Sequence, residues 1–271
     1  MSLVIRTWNV FHGNAKPPER RSYLAEMVRL VTADEPDVVC LQELPGWSLP
    51  ALEAWSGMQA YVSIAQPARC GPLPIPPAAG RALTSLNNGL FRSAFSGQAN
   101  AILVARAARI VDRSSLVLNA TRFRSAQSEW LGLDVVARLA WAKERRVVQA
   151  ARMELGGSSV VVGNLHAAGY APDQRLADAE LLRAAVFVDG VALPGDTIVL
   201  AGDFNVPASR SATQADLTGA EWGFSKPVAE GIDQVLVRGT AVESIQRWPR
   251  ERRRLAGRLL SDHTPVEARA A

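Results

Sequence analysis

Apolar residues along this chain fall into short dense runs, and the spacing within them changes from one stretch to the next. Leu3 to Val10 is apolar and β-prone and reads as a strand that closes on Asn9. Between Glu19 and Thr32 the period changes: Leu24, Met27, Val28 and Val31 recur at i, i+3, i+4 and i+7, with Glu19, Arg20, Arg21, Glu26 and Arg29 off that face. That spacing predicts an amphipathic helix. Pro36 follows, and the run Asp37 to Leu41 leads as a second strand straight into Gln42-Glu43. Ala99 to Val104 and Val147 to Leu155 also have strand character. Val160 to Leu165 then runs into His166, a helix is expected from Ala171 to Asp189 with Ala179, Leu182 and Val186 at i, i+3 and i+7, and a strand from Thr197 to Ala201 ends at Gly202-Asp203. The chain thus predicts two strand-helix-strand units of an α/β fold.

Two stretches resist this reading. Residues 65–81 hold Pro67, Pro72, Pro74, Pro76 and Pro77 with Gly71 and Gly80, a composition expected to support neither helix nor ladder and so to form a long surface loop. Residues 106–146 are Arg-rich and give a mixed pattern. No repeat recurs at a fixed short period, which excludes solenoids and propellers, and 271 residues are expected to form one domain spanning 1–271.

Composition narrows the setting. With 48% hydrophobic and 21% charged residues the chain can bury a sizeable core, which argues against disorder. Cys40 and Cys70 form no disulfide framework and suit a reducing compartment. There is no basic leader before a long apolar stretch and no uncharged apolar run of membrane-spanning length, so a cytoplasmic location is expected. Thirty Lys and Arg against 26 Asp and Glu give a formal charge of +4, which favours anionic partners without naming one. Arg247, Arg250, Arg252, Arg253, Arg254 and Arg258 cluster around Trp248 with Glu251 alone opposing them. Such a stripe could neutralise phosphates while the indole stacks on a base, or it could be a solvated surface loop.

The polar residues that close the apolar runs carry the chemistry. Asn9, Glu43, His166, and Asp203 with Asn205 all fall at strand ends, where α/β proteins gather their sites. Gly231-Ile232-Asp233 sets a carboxylate at the mouth of another apolar run, and Ser261-Asp262-His263 couples a carboxylate to an imidazole. Each alone has a plainer explanation as a cap, turn-former or ion pair. Their joint placement, with two of three histidines in such segments, favours a functional site.

Thr7-Trp8-Asn9-Val10, Leu41-Gln42-Glu43, Asn164-Leu165-His166, Gly202-Asp203-Phe204-Asn205, Gly231-Ile232-Asp233 and Ser261-Asp262-His263-Thr264-Pro265-Val266 resemble, in that order, the motifs of the endonuclease/exonuclease/phosphatase superfamily. The resemblance spans residues 3 to 267 and implies a deoxyribonuclease I-like fold, a two-sheet sandwich flanked by helices in four layers. It also implies Mg²⁺-dependent hydrolysis of phosphodiesters, with Mn²⁺ as a substitute. Glu43 is then the first metal ligand, with Asn9 and Asp262 completing the shell. Asp203 activates water, Asn205 holds that water or a phosphate oxygen, His263 steered by Asp233 acts on the phosphoryl group, and His166 donates to a phosphate or leaving oxygen. Asn100, His12, Arg247 and Trp248 are the expected substrate contacts. The Ser-Arg that often follows the family's Gly-Asn-Ala-Ile-Leu strand is replaced by Val104-Ala105, and no acid supporting the central histidine can be placed. A monomer acting on nucleic acid is the first expectation. A phospholipid or phosphoinositide headgroup is the alternative, and an inactive binding module of the same fold is the third reading.

Overall fold

The computed structural model describes residues 2–70, 72–86 and 96–271. Its two large sheets are built around parallel strand pairs. In the first sheet β1 (Leu3–Asn9) runs parallel to β3 (Val38–Leu44), and antiparallel partners extend the pair on both sides. These are β16 (Val266–Ala270) and β13 (Val242–Arg247) on one flank, and β7 (Gln98–Val104) and β4 (Gln59–Gln66) on the other. In the second sheet β10 (Ser158–His166) runs parallel to β11 (Thr197–Asp203), flanked by β12 (Asp233–Arg238) beyond β11 and by β9 (Val147–Leu155) and β8 (Arg109–Val117) beyond β10. Both parallel pairs need a crossover, and each has a helix: Leu24–Thr32 in the first unit and Arg175–Asp189 in the second.

Alternation along the strands distributes the apolar side chains into layers. Ile5, Val38, Cys40 and Ile102 of one sheet meet Ala151, Val162, Val199 and Val235 of the other in the central core. Trp8, Val39, Leu41 and Leu103 turn outward under Met27, Val28 and Val31 of the first helix. Val161, Leu165, Ile198 and Leu200 turn outward under Leu181, Ala184 and Val188 of the second. The result is the helix-sheet-sheet-helix sandwich that the motifs implied. A small third sheet, β14 (Arg254–Leu255), β15 (Arg258–Leu260) and β2 (Ala15–Lys16), ties the segment before Asp262 to the chain just after Asn9.

Several expectations are corrected. The first helix begins at Leu24, not near Glu19, because the Tyr23 N–H is taken by the Gly13 carbonyl at 2.8 Å. The Pro-rich 65–81 segment does form a ladder, β5 (Arg69–Cys70) with β6 (Leu73–Pro74), and Pro77 starts a helix to Leu86; proline at the first helical turn loses no needed donor. The mixed 106–146 region resolves into β8 and two helices, Thr121–Trp130 and Val135–Lys143. The second crossover helix starts at Arg175 and turns its other side inward. Leu176, Ala177, Leu181, Ala184 and Ala185 are buried, whereas Leu182 and Val186 are 44% and 56% exposed. Its small alanines pack close to the sheet, and bulk did not mark the inner face.

Candidate active site

Register alone brings three of the candidate residues together. His166 pairs with Asp203 across β10 and β11, and Asp203 pairs with Asp233 across β11 and β12, so three strands present an imidazole and two carboxylates side by side. The close approach of β10 and β11 depends on Gly202, whose φ is +145° and whose missing Cβ would lie 2.0 Å from the Leu165 carbonyl oxygen. From the first sheet, Asn9 closes β1, and Glu43 occupies an irregularity in the β3–β7 pairing with φ at +57°. Bulges of this kind re-aim a side chain. Asn205 and Ser261 also hold positive φ, at +52° and +58°, so left-handed backbone recurs at the site rim.

The two halves meet through buried hydrogen bonds. Asn9 Nδ2 donates to Glu43 Oε1 at 3.1 Å and to Asp203 Oδ2 at 2.9 Å, joining a carboxylate from each sheet. His166 Nε2 lies 3.7 Å from Glu43 Oε1 and 3.6 Å from Asp203 Oδ2. His263 Nδ1 lies 3.0 Å from both oxygens of Asp233 and 3.8 Å from Asp203 Oδ2. Asp262 is at the rim, 4.0 Å from His263 Nε2 and 3.5 Å from Lys16 Nζ. The Asn205 backbone N–H donates to Asp203 Oδ1 at 3.0 Å, and its side-chain Nδ2 donates to the Ala167 carbonyl at 2.9 Å. A level deeper, Gln42 Nε2 donates to Thr7 and to Asn164 Oδ1, while Asn164 Nδ2 donates to the Leu41 and Ala101 carbonyls. Polar residues from three motifs, Thr7, Gln42 and Asn164, therefore clamp the sheets together beneath the site.

Electrostatics sort these groups. Burial pushes the Asp203 carboxyl up to about 7, reinforced by Asp233 and Glu43 and opposed by His263 and Asn9. Burial also works against a charged His263, but Asp203, Asp233 and Asp262 overcome it and raise its pKa to about 10. His166 moves the other way: burial, then Arg146, His263 and His12, hold it well below its ordinary range, so it is neutral at pH 7. The cluster thus contains a carboxylate poised near neutrality, an imidazolium and a neutral imidazole within a few ångströms.

Asp203, Asp233 and His263 offer ligand atoms within 4.8 Å of one another, a grouping that differs from Glu43, Asn9 and Asp262. Acidic oxygens predominate around the cleft, which fits a hard divalent cation better than zinc. Glu43, with its side chain 18% exposed, is reached from the rim, and its oxygens are already braced by Asn9 and His12.

Of the other expected contacts the structure buries Trp248, Asn100 and His12 and leaves Arg247 exposed. Trp248 is 3% exposed, donates to Glu267 Oε2 at 3.3 Å and lies under the Arg252 guanidinium at 3.6 Å, so it packs the interior and cannot stack on a base. Arg253 is also buried and donates to the Leu260, Ser261 and His263 carbonyls, fixing the backbone around Asp262. Arg247 remains exposed at the rim, its guanidinium beside Gly231. Asn100 is 1% exposed and donates to the Val147 carbonyl at 3.2 Å, a link between sheets and not a substrate contact. His12 is buried, with Nε2 3.4 Å from Glu43 Oε2.

Three residues escaped the sequence reading. Gln98 Nε2 lies 3.0 Å from His166 Nδ1, and Arg146 approaches both ring nitrogens at 3.0 and 2.8 Å, where an acidic partner had been sought. Gln98 shares a strand face with Asn100, the one available hint. Glu180, wholly buried on the second crossover helix, accepts from Trp141 Nε1 at 2.5 Å and from the Ala168 N–H at 2.7 Å; burial raises its pKa to about 7 against these donors and Arg146.

Comparison with known proteins accords with this geometry. The Endonuclease/Exonuclease/phosphatase family matches residues 7–263. The chain belongs to this family of phosphoesterases. Among solved structures, an endonuclease/exonuclease/phosphatase from Bacteroides vulgatus superposes with a TM-score of 0.67 at 15% identity, covering 100% of this chain and 99% of that one. A humanized D. rerio TDP2 gives 0.63 at 15% identity, covering 100% and 99%. The human Nocturnin catalytic domain with bound sulfate gives 0.62 at 15% identity, covering 100% and 94%. These likenesses establish the deoxyribonuclease I-like fold. No curated protein matches the chain. Among the described residues, no helix is long and apolar enough to cross a membrane.

Proposed function

We propose that this phosphoesterase is a Mg²⁺-dependent phosphodiesterase acting first on nucleic acid, and that Asp203 and His263 are its central catalytic pair. The observation that carries the reading is the Asn9 amide that joins Glu43 to Asp203 within reach of both His166 and the Asp233-held His263. Glu43, with Asn9 and Asp262, is the set that would hold Mg²⁺ or Mn²⁺. The ion when bound supplies neutralisation of the phosphoryl oxygens.

The protein groups divide the remaining work. Asp203 accepts the proton of the attacking water, a task suited to a carboxyl with a pKa of about 7. Asn205, with Nδ2 engaged on Ala167, keeps its Oδ1 to orient that water. The water oxygen bonds to phosphorus as the bond to the leaving oxygen breaks. His263, cationic through Asp233, faces the phosphoryl group, and neutral His166 donates its N–H to a phosphate or leaving oxygen. The +4 charge and the exposed Arg247, Arg250 and Arg254 support a polyanionic substrate. A phospholipid headgroup stands as the second reading, because burial of Trp248 and Arg253 removes two of the groups that favoured nucleic acid.

The test is hydrolysis of DNA, RNA, abasic DNA and phospholipid in Mg²⁺, Mn²⁺ and chelator by the parent, Asp203→Ala and His263→Ala. Chelator should abolish turnover, and each substitution should lower it about a hundredfold or more. Variants within a few-fold of the parent would remove the scheme. A steep fall of binding with salt on DNA but not on anionic vesicles would favour the nuclease.

A further inference from the structure

The helical hairpin Thr121–Trp130 and Val135–Lys143 shows its apolar side to solvent. Trp130 is 80% exposed, Val135 71%, Leu139 67% and Val136 63%, among the highest values for large apolar side chains in the described residues. An outward helix face ordinarily carries charge. This one holds Val135, Val136 and Leu139 while Ala137 and Trp141 face the body. The hairpin is firmly seated: Phe123 packs edge-on against Trp141 at 6.0 Å, Arg183 lies over Phe123 at 4.1 Å, and Trp141 is bonded to Glu180. The exposed face is therefore a built surface.

The flanking charge identifies what suits it. Arg122, Arg138, Lys143 and Arg145 are exposed, and among the described residues none of them is in an ion pair. Glu129 and Asp134 are the exposed acids within the same stretch, while Glu144 is committed to Arg146 at 2.7 Å. Aliphatic side chains gain nothing from a phosphate backbone, and an apolar protein groove gives unpaired cations no partner. An anionic lipid surface serves both, since apolar groups enter at headgroup depth while Arg and Lys remain among the phosphates.

We propose that this hairpin docks the protein reversibly on anionic membrane surfaces, seating Trp130, Val135, Val136 and Leu139 at the headgroup level. The hairpin leads directly into Arg146, 2.8 Å from His166 Nε2, so docking holds the catalytic cleft close to the bilayer. The inference goes beyond the catalytic reading and does not depend on it.

The experiment is co-sedimentation of the full chain with phosphatidylcholine vesicles, with and without phosphatidylglycerol. Three proteins are compared: the parent, the combined Val135→Ser, Val136→Ser, Leu139→Ser variant, and the combined Arg138→Gln, Lys143→Gln, Arg145→Gln variant. The parent should bind only the phosphatidylglycerol vesicles, and each combined variant should bind about tenfold more weakly or worse. Hydrolysis of a small soluble phosphodiester should be unchanged in all three, which separates failure of docking from failure of the catalytic reading. Absence of parental binding overturns the proposal, as does equal binding by the serine variant. A serine variant that instead halves the mass of a parental dimer in light scattering, or loses oligonucleotide affinity, also overturns it by assigning the patch to another occupant.

Discussion

Asp233 meets His263 Nδ1 with both oxygens at 3.0 Å, a grip that an amide cannot reproduce because one of its two ends is a donor. Asp233→Asn should therefore keep the fold and lower kcat about a hundredfold or more, with the high-pH limb of the rate profile moving to lower pH as the imidazolium loses its counter-charge. A variant with parental kcat and an unmoved limb would show that His263 needs no such support. At this scale the sequence was informative where a polar side chain ended an apolar run, as for Asn9, Glu43, His166 and Asp203. It was uninformative where a residue type has two uses. Arg253 and Trp248 read as surface recognition groups and are interior struts, while Arg146, next to His166, stands in a segment with no distinguishing pattern and Gln98 is marked only by its strand face shared with Asn100.

The strands were easier to read than the helices, for a physical reason. A strand buried on both faces is a continuous apolar run, as in residues 198–201, and such a run marks the observed element Thr197–Asp203 directly in the sequence. The Arg175–Asp189 helix carries apolar residues on two sides, so periodicity could not choose between Leu182 with Val186 and the smaller alanine face. Element packing also makes Gly202 indispensable. Gly202→Ala would drive a Cβ to within 2.0 Å of the Leu165 carbonyl and force β10 from β11, separating His166 from Asp203. Loss of more than about 4 kcal/mol is expected, enough to leave little folded protein. Gly157→Ala, with nothing within 4 Å and only its φ of +85° to strain it, should cost about 1 kcal/mol. Urea midpoints for the two variants measure the contrast, and similar values would refute it.

For the whole molecule, pH acts through groups far from solvent. Glu180 has an ordinary pKa of 4.5 in the unfolded chain and about 7 when buried, so the folded protein keeps a proton that the unfolded chain releases. Its contribution to stability consequently falls as pH rises from about 4.5 to about 7 and levels off above that. At about 1.4 kcal/mol per pKa unit this amounts to roughly 2–4 kcal/mol. The unfolding free energy of the parent minus that of Glu180→Gln should fall by that amount from about pH 4 to about pH 8; parallel curves would exclude Glu180 as the source. The sequence could not foretell this, because a lone Glu on an amphipathic helix reads as solvent-facing until the inner side of that helix is known.

The strand β16 lies between β1 and β13 and begins just beyond Asp262 and His263. During translation β1 therefore waits, one edge unpaired, until Val266–Ala270 has emerged. The nascent chain holds Asn9 and Glu43 long before it acquires Asp262 and His263. Assembly of the cluster of His166, Asp203 and His263 is in this way deferred until the β16 segment has been made, and a chain stalled ahead of that segment would hold β1 with an open edge.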